Sequence, residues 1–137
     1  PKTAQPERSM LLRDVADKGM GEGPAQLPGA TTIGVYEAAG LVESFGGVAY
    51  PAHIDRDSFS LLSNLGLWDP AMGFPLAEIS RRCPPDFIRA RRDLRGVGTV
   101  TGTDAHYLHQ IVQAEQFMEV PARSKEAVLA WLRRGGR

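Results

Sequence analysis

Val97-Gly98-Thr99-Val100-Thr101-Gly102-Thr103-Asp104-Ala105-His106 is the stretch on which the fold reading turns. Val97 to Thr101 is β-branched with interspersed glycines, which suits a short strand. The sequence then turns polar at once, so Asp104 and His106 follow the strand's C-terminal end. An upstream stretch has the same plan. Val48-Ala49-Tyr50 is a short, fully apolar strand candidate stopped by Pro51, and Ala52-His53-Ile54-Asp55-Arg56 comes directly after it. Phe74 to Ile79 is a further strand candidate, carrying Glu78, and Phe117 to Val120 a final one. Short strands that are apolar on both faces and alternate with helices indicate a parallel sheet built from βαβ units. The expected class is α/β, and this pattern does not separate an open sheet from a barrel.

Helices fill the intervals. Pro6 to Ala16 is expected as a helix, with Pro6 at its first position, an apolar stripe of Leu11, Leu12, Val15 and Ala16, and Gly19 as its cap. Gly19 to Ala30 then reads as a loop. Its Gly19-x-Gly21-x-Gly23 lacks both a preceding strand and a Gly-Lys-Ser/Thr ending, so it is a connector rather than a phosphate loop. Thr32 caps a helix over Ile33 to Ser44 that Gly46-Gly47 ends, and Ser58 to Leu65 forms another, closed by Gly66. Pro84-Pro85 introduces an arginine-rich helix. Ser124 caps the last, Lys125 to Arg134, with Glu126 in its first turn, Arg133 and Arg134 in its last, and Gly135 beyond.

The 137 residues suffice for one domain, and 16 basic residues balance 16 acidic ones. That balance argues against a strongly electropositive nucleic-acid binder. The single cysteine, Cys83, rules out an internal disulfide and fits a reducing, cytoplasmic setting. No apolar run reaches the length of a membrane span. Because the chain opens at Pro1, it is expected to be part of something longer.

His53, Asp104 and His106 are of the types that hold Zn, Mn or Fe, and each falls where α/β active sites form, past the C-terminal ends of parallel strands. In an extended segment Asp104 and His106, two apart, face the same way. A single strand-end histidine is commonly just a hydrogen-bonded residue; two such positions at consecutive strand ends give ligation equal standing. His109 is expected to be solvent-exposed. Arg56 either grips a phosphate with its guanidinium fork or pairs with Asp55 or Asp57.

Together these blocks resemble a known family. Gly46-Gly47-Val48-Ala49-Tyr50-Pro51-Ala52-His53-Ile54-Asp55-Arg56, Ser60-Leu61-Leu62-Ser63-Asn64-Leu65-Gly66, Leu76-Ala77-Glu78-Ile79-Ser80 and Thr103-Asp104-Ala105-His106-Tyr107-Leu108 are similar, in this order and spacing, to the C-terminal half of bacterial PHP (polymerase and histidinol phosphatase) domains. The resemblance implies a distorted (β/α)7 barrel whose C-terminal part is this chain, residues 1–137. It also implies a centre of two or three divalent metals (Zn, Mn or Fe) that hydrolyses phosphate esters, with His53, Asp104 and His106 as ligands. The expected substrate is a small phosphate ester or a nucleotide, and no membrane is expected to take part. Metals in such a centre lower the pKa of a bound water and neutralise the phosphoryl group.

The chain departs from that family in having three histidines and no His-x-His. The N-terminal half-barrel is therefore expected to be absent, and the chain alone inactive or nearly so. Two rivals stand beside the phosphoesterase: a metal-dependent hydrolase of C–N or ester bonds, and a non-catalytic PHP-like binding module. The remaining candidates read as structural. Arg81, Arg82, Arg89, Arg91, Arg92 and Arg95 make a solvated helix face, because no aromatics interleave them as nucleic-acid binding would need. Gly96-x-Gly98-x-x-x-Gly102 is no dinucleotide fingerprint, Cys83 lacks a partner histidine, and Glu78 is a hydrogen-bond acceptor.

Overall fold

The computed structural model describes residues 10–13, 19–23, 32–111 and 116–137. They fall into two units, Pro1–Thr32 and Ile33–Arg137. In the first, β1 (Met10–Arg13) pairs antiparallel with β2 (Gly19–Gly23), Met10 opposite Gly23, with a register shift between Leu12 and Arg13. The helix expected over Pro6 to Ala16 and the loop from Gly19 are thus corrected to strands where they are described; the rest of both lies outside the described residues. Met10-Leu11-Leu12 is too short an apolar run for its period to separate helix from strand.

In the second unit, α1 (Val35–Ser44) begins at Gly34 rather than at the expected Thr32 cap, because the Glu37 carboxylate reaches back to accept from the Gly34 N–H at 3.0 Å. Gly46, at φ +79°, closes it, its N–H donating to Glu43 O. The short α2 (Leu61–Leu65) is capped by Ser60, whose hydroxyl accepts from Ser63 N at 3.1 Å. β3 (Leu76–Ser80) and β4 (Gly98–Gly102) pair in parallel, Leu76 opposite Gly98 and Ser80 opposite Gly102. The crossover between them carries α3 (Phe87–Ala90) and a 3-10 turn at Arg92–Leu94. Ser124 caps α4 (Lys125–Arg133) as expected, accepting from Ala127 N at 3.1 Å.

The result is a small α/β protein with a two-stranded parallel sheet and several helices. Two expected strands do not form. Residues 116–120 have no regular structure, and Val48–Tyr50 belongs to a segment that docks beside β3 without completing a ladder.

Ile54, Leu62, Trp68, Met72, Ala77 and Leu94 form the core, with Phe74 tilted against Trp68 at 6.3 Å between ring centroids. The C-terminal segment fastens this unit across long sequence distances. Arg133 donates to Gly46 O at 2.7 Å, Arg137 donates to Gly96 O at 2.9 Å, and the Gly135 backbone lies where a Cβ on Gly98 would fall.

Asp93 anchors the crossover. Its carboxylate accepts from Arg91 (3.2 and 2.9 Å) and from Trp68 N (2.7 Å), while Arg91 also donates to Gly66 O at 2.7 Å. The Arg91 hydrogen bond, helped by the Trp68 N–H and opposed by partial burial, holds the Asp93 pKa below the usual aspartate value. A depressed folded-state pKa contributes stability above the unfolded pKa of about 3.9, and that contribution is lost as pH falls through the folded value. Asp93→Asn should therefore lower the urea midpoint at neutral pH and flatten its decline below about pH 4. An unchanged acid limb in the variant would show that Asp93 is not the group responsible.

Candidate functional site

The site grows from an irregularity in the backbone. Glu78 N donates to Pro51 O at 2.8 Å, and Ile54 N donates to Glu78 O at 2.9 Å. In a regular parallel ladder the second bond would come from His53, so the docked segment carries one residue more than pairing requires. That is a bulge, the device that re-aims side chains next to active sites. His53 absorbs it with a left-handed backbone, φ +33°, and its Nδ1 is buried with no hydrogen-bond partner.

Past the bulge, Ile54 is fully buried and fixes the residues after it. The Asp55 carboxylate grasps the end of β3, accepting from Ser80 N at 2.6 Å and from Ser80 Oγ at 2.5 Å. Arg56 then crosses to the segment after β4, where its Nη1 lies 2.7 Å from Asp104 Oδ2. The pairing expected with Asp55 or Asp57 is corrected: Asp55 is engaged by Ser80, and Arg56 is drawn to Asp104. The docked segment and the C-terminal ends of both parallel strands thus meet at one edge.

Asp104 is not in the extended conformation that would aim it alongside His106, because its φ is +50°. The two stay close nonetheless. His106 Nδ1 lies 2.8 Å from Asp104 O and 3.8 Å from Asp104 Oδ1. Among the described residues no three His, Cys, Asp or Glu side chains are placed to hold a metal ion. The multi-metal set implied by resemblance is therefore not assembled by His53, Asp104 and His106 as they stand, with Arg56 on the Asp104 carboxylate. Glu78 lies across the end of β4, its carboxylate filling the space a side chain at Gly102 would need.

Beside this junction is an open basin of about 1180 Å³ whose wall includes Arg56, Ser80, Arg81, Arg82, Thr103 and His109. Five of these, all but Arg56, are not among the site residues the sequence points to. Arg81 and Arg82 directly follow the last residue of β3, a strand-end position that outweighs the composition by which they were grouped with a helix face. That group divides: Arg89 pairs with Asp86 at 2.7 Å and Arg91 with Asp93, while Arg81 and Arg82 go to the basin. Ser80 follows from its register opposite Gly102, and His109 from a 3-10 turn, Leu108–Gln110, that brings it back toward the sheet edge. Nearby, burial and then the Asp55 charge push the Cys83 thiol pKa up, so this cysteine is not primed as a nucleophile.

No described helix is long and apolar enough to cross a membrane. Comparison with protein-family models, with curated proteins and with solved structures gives no match to this chain.

Proposed function

We propose that this chain holds a phosphate ester at the C-terminal edge of its parallel strands, as the phosphate-gripping part of a metal-dependent phosphoesterase of the PHP kind. The observation that carries the reading is the basin itself, with three arginines on its wall where the strands end. Guanidinium forks match phosphate oxygens in geometry and charge, and their hydrogen bonds to an anion are about twice as strong as neutral ones. Arg82 is set in place by its own backbone, whose N–H donates to Ser80 Oγ at 3.2 Å. The sequence resemblance supplies the hydrolytic half of the proposal, and no step is built on metals that the described side chains do not gather.

One observation favours a second reading, a module that binds phosphate without turning it over. The Arg56 guanidinium, 2.7 Å from Asp104, competes with any cation for that carboxylate.

Calorimetric titration of the chain with inorganic phosphate tests the shared core of both readings. Arg82→Ala should weaken binding about tenfold or more, the scale of one lost charge-assisted hydrogen bond, with the thermal midpoint unchanged. Equal affinities in the variant and the parent sequence would sink the proposal. Hydrolysis of an aryl phosphate that needs added Mn, Zn or Fe and stops with a chelator separates the phosphoesterase from the binding module.

A further inference from the structure

A second pocket, of about 160 Å³, opens at the N-terminal ends of the parallel strands, and none of its residues lines the basin. Pro75 directly precedes β3, and with Val48, Ala49 and the buried Ala39 of α1 it makes an apolar wall. Two charged side chains share the pocket, Glu43 from α1 and Arg133 from α4, and no ion pair joins them. Glu43 stands in the last turn of α1, where the helix dipole already disfavours a carboxylate and no basic residue offsets it. Among the described residues, no hydrogen bond or ion pair takes up its side chain. Arg133 is tethered by one nitrogen, Nη2, which donates to Gly46 O at 2.7 Å and leaves the rest of the guanidinium fork for an anion. A carboxylate and a tethered guanidinium, unpaired with each other in one small pocket, suit a ligand that carries both charges.

We infer that this pocket binds a small α-amino acid, with its ammonium on Glu43, its carboxylate on Arg133 and its short side chain against the apolar wall. Size limits the class. A cavity of about 150 Å³ accommodates benzene, and alanine has as many non-hydrogen atoms as benzene. Charge narrows it further. A simple anion gains the Arg133 fork but brings its charge beside Glu43, and a simple cation meets the reverse conflict. A zwitterion satisfies both groups. Bound there, it adds a second tie between α1 and α4 beside the Arg133–Gly46 clasp. The pocket is at the opposite strand edge from the basin, so this site neither needs the phosphate reading nor supports it.

The test is titration of the 137-residue chain with L-alanine, propionate and ethylamine, followed by the NMR amide shifts of Gly47 and Val48 in the pocket lining. Propionate is alanine without the ammonium, and ethylamine is alanine without the carboxylate. L-Alanine should saturate these shifts with a dissociation constant of about 1 mM, a strength within reach of so small a ligand. Each truncated probe should bind at least about tenfold more weakly, the scale of one lost charge-assisted hydrogen bond. Glu43→Gln keeps the side chain's size and leaves the Arg133–Gly46 clasp intact; it should weaken alanine about tenfold without weakening propionate. Arg133→Met should abolish alanine binding. Propionate or ethylamine binding as tightly as alanine, or unchanged alanine affinity in Glu43→Gln, would overturn the inference. So would alanine that produces no saturable shift at about a hundred times the expected constant.

Discussion

Gly98→Ala is expected to cost at least about 3 kcal/mol of stability, the upper end of overpacking penalties, and to leave the 33–137 unit largely unfolded at physiological temperature. A Cβ at Gly98, the first residue of β4, would collide with the Gly135 carbonyl oxygen. Two backbones meet there, so no side chain can swing aside, and relief requires moving either the parallel ladder or the end of α4. Gly40, inside α1, is the control, because a Cβ there meets nothing within 4 Å. Gly40→Ala should raise stability by about 0.5–1 kcal/mol through reduced backbone entropy of the unfolded chain. Urea denaturation of the two variants beside the parent sequence gives both values. A Gly98→Ala protein within about 1 kcal/mol of the parent would mean that the two glycines are not in contact.

Asp55→Ala should cost about 2–4 kcal/mol, because it removes the acceptors of both the part-buried Ser80 N–H and the Ser80 hydroxyl proton. Its effect on phosphate should be larger than its effect on folding suggests. Asp55 ties the bulged segment to the end of β3, and Arg56 is the next residue; with that tie cut, the guanidinium loses its fixed starting point. Phosphate affinity should therefore fall at least as far as in Arg82→Ala. Ser80→Ala, which keeps the N–H bond to Asp55 and loses the hydroxyl's bonds with Asp55 and with Arg82 N, should cost less. A double-mutant cycle between the two positions should show coupling of about 1–2 kcal/mol, as neighbours sharing a hydrogen bond do. Additive effects would mean that Asp55 stabilises the edge by some other contact.

Much of this architecture is local enough to read from residues in order. β3 and β4 begin and end within two residues of their apolar and β-branched runs, and Ser124 and Gly135 bracket α4 as their chemistry requires. The readings that failed depended on partners far along the chain. Val48-Ala49-Tyr50 has strand composition, yet whether it completes a ladder depends on the extra residue at the Ala52–His53 bulge, which no local pattern discloses. Met10-Leu11-Leu12 pairs with Gly21-Glu22-Gly23, a glycine-rich stretch whose own composition suggests a loop. Gly98 and Gly102 were correctly placed in a strand, while the reason each must be glycine lies at Gly135 and Glu78. The candidate site divides along the same line. Asp104 and Arg56 were legible from their strand-end positions, and their mutual pairing was not. His109 is exposed, as its sequence position suggests, while its place on the basin wall comes from a turn held by Gln110, whose amide gives no sequence signal of that role.

The clasp between Arg133 and Gly46 sets an order of events during synthesis. The two residues are 87 positions apart. At about 5–20 residues per second, Gly46 emerges on the order of ten seconds before the arginine that will hold its carbonyl has been added. Gly98 likewise waits for Gly135 to close over it. The docked segment, the parallel strands and the basin edge must therefore remain provisional while the ribosome works through the rest of the chain. Chaperone dependence should be greatest for a nascent chain stalled before Arg133, and should drop once the residues through 137 have cleared the exit tunnel.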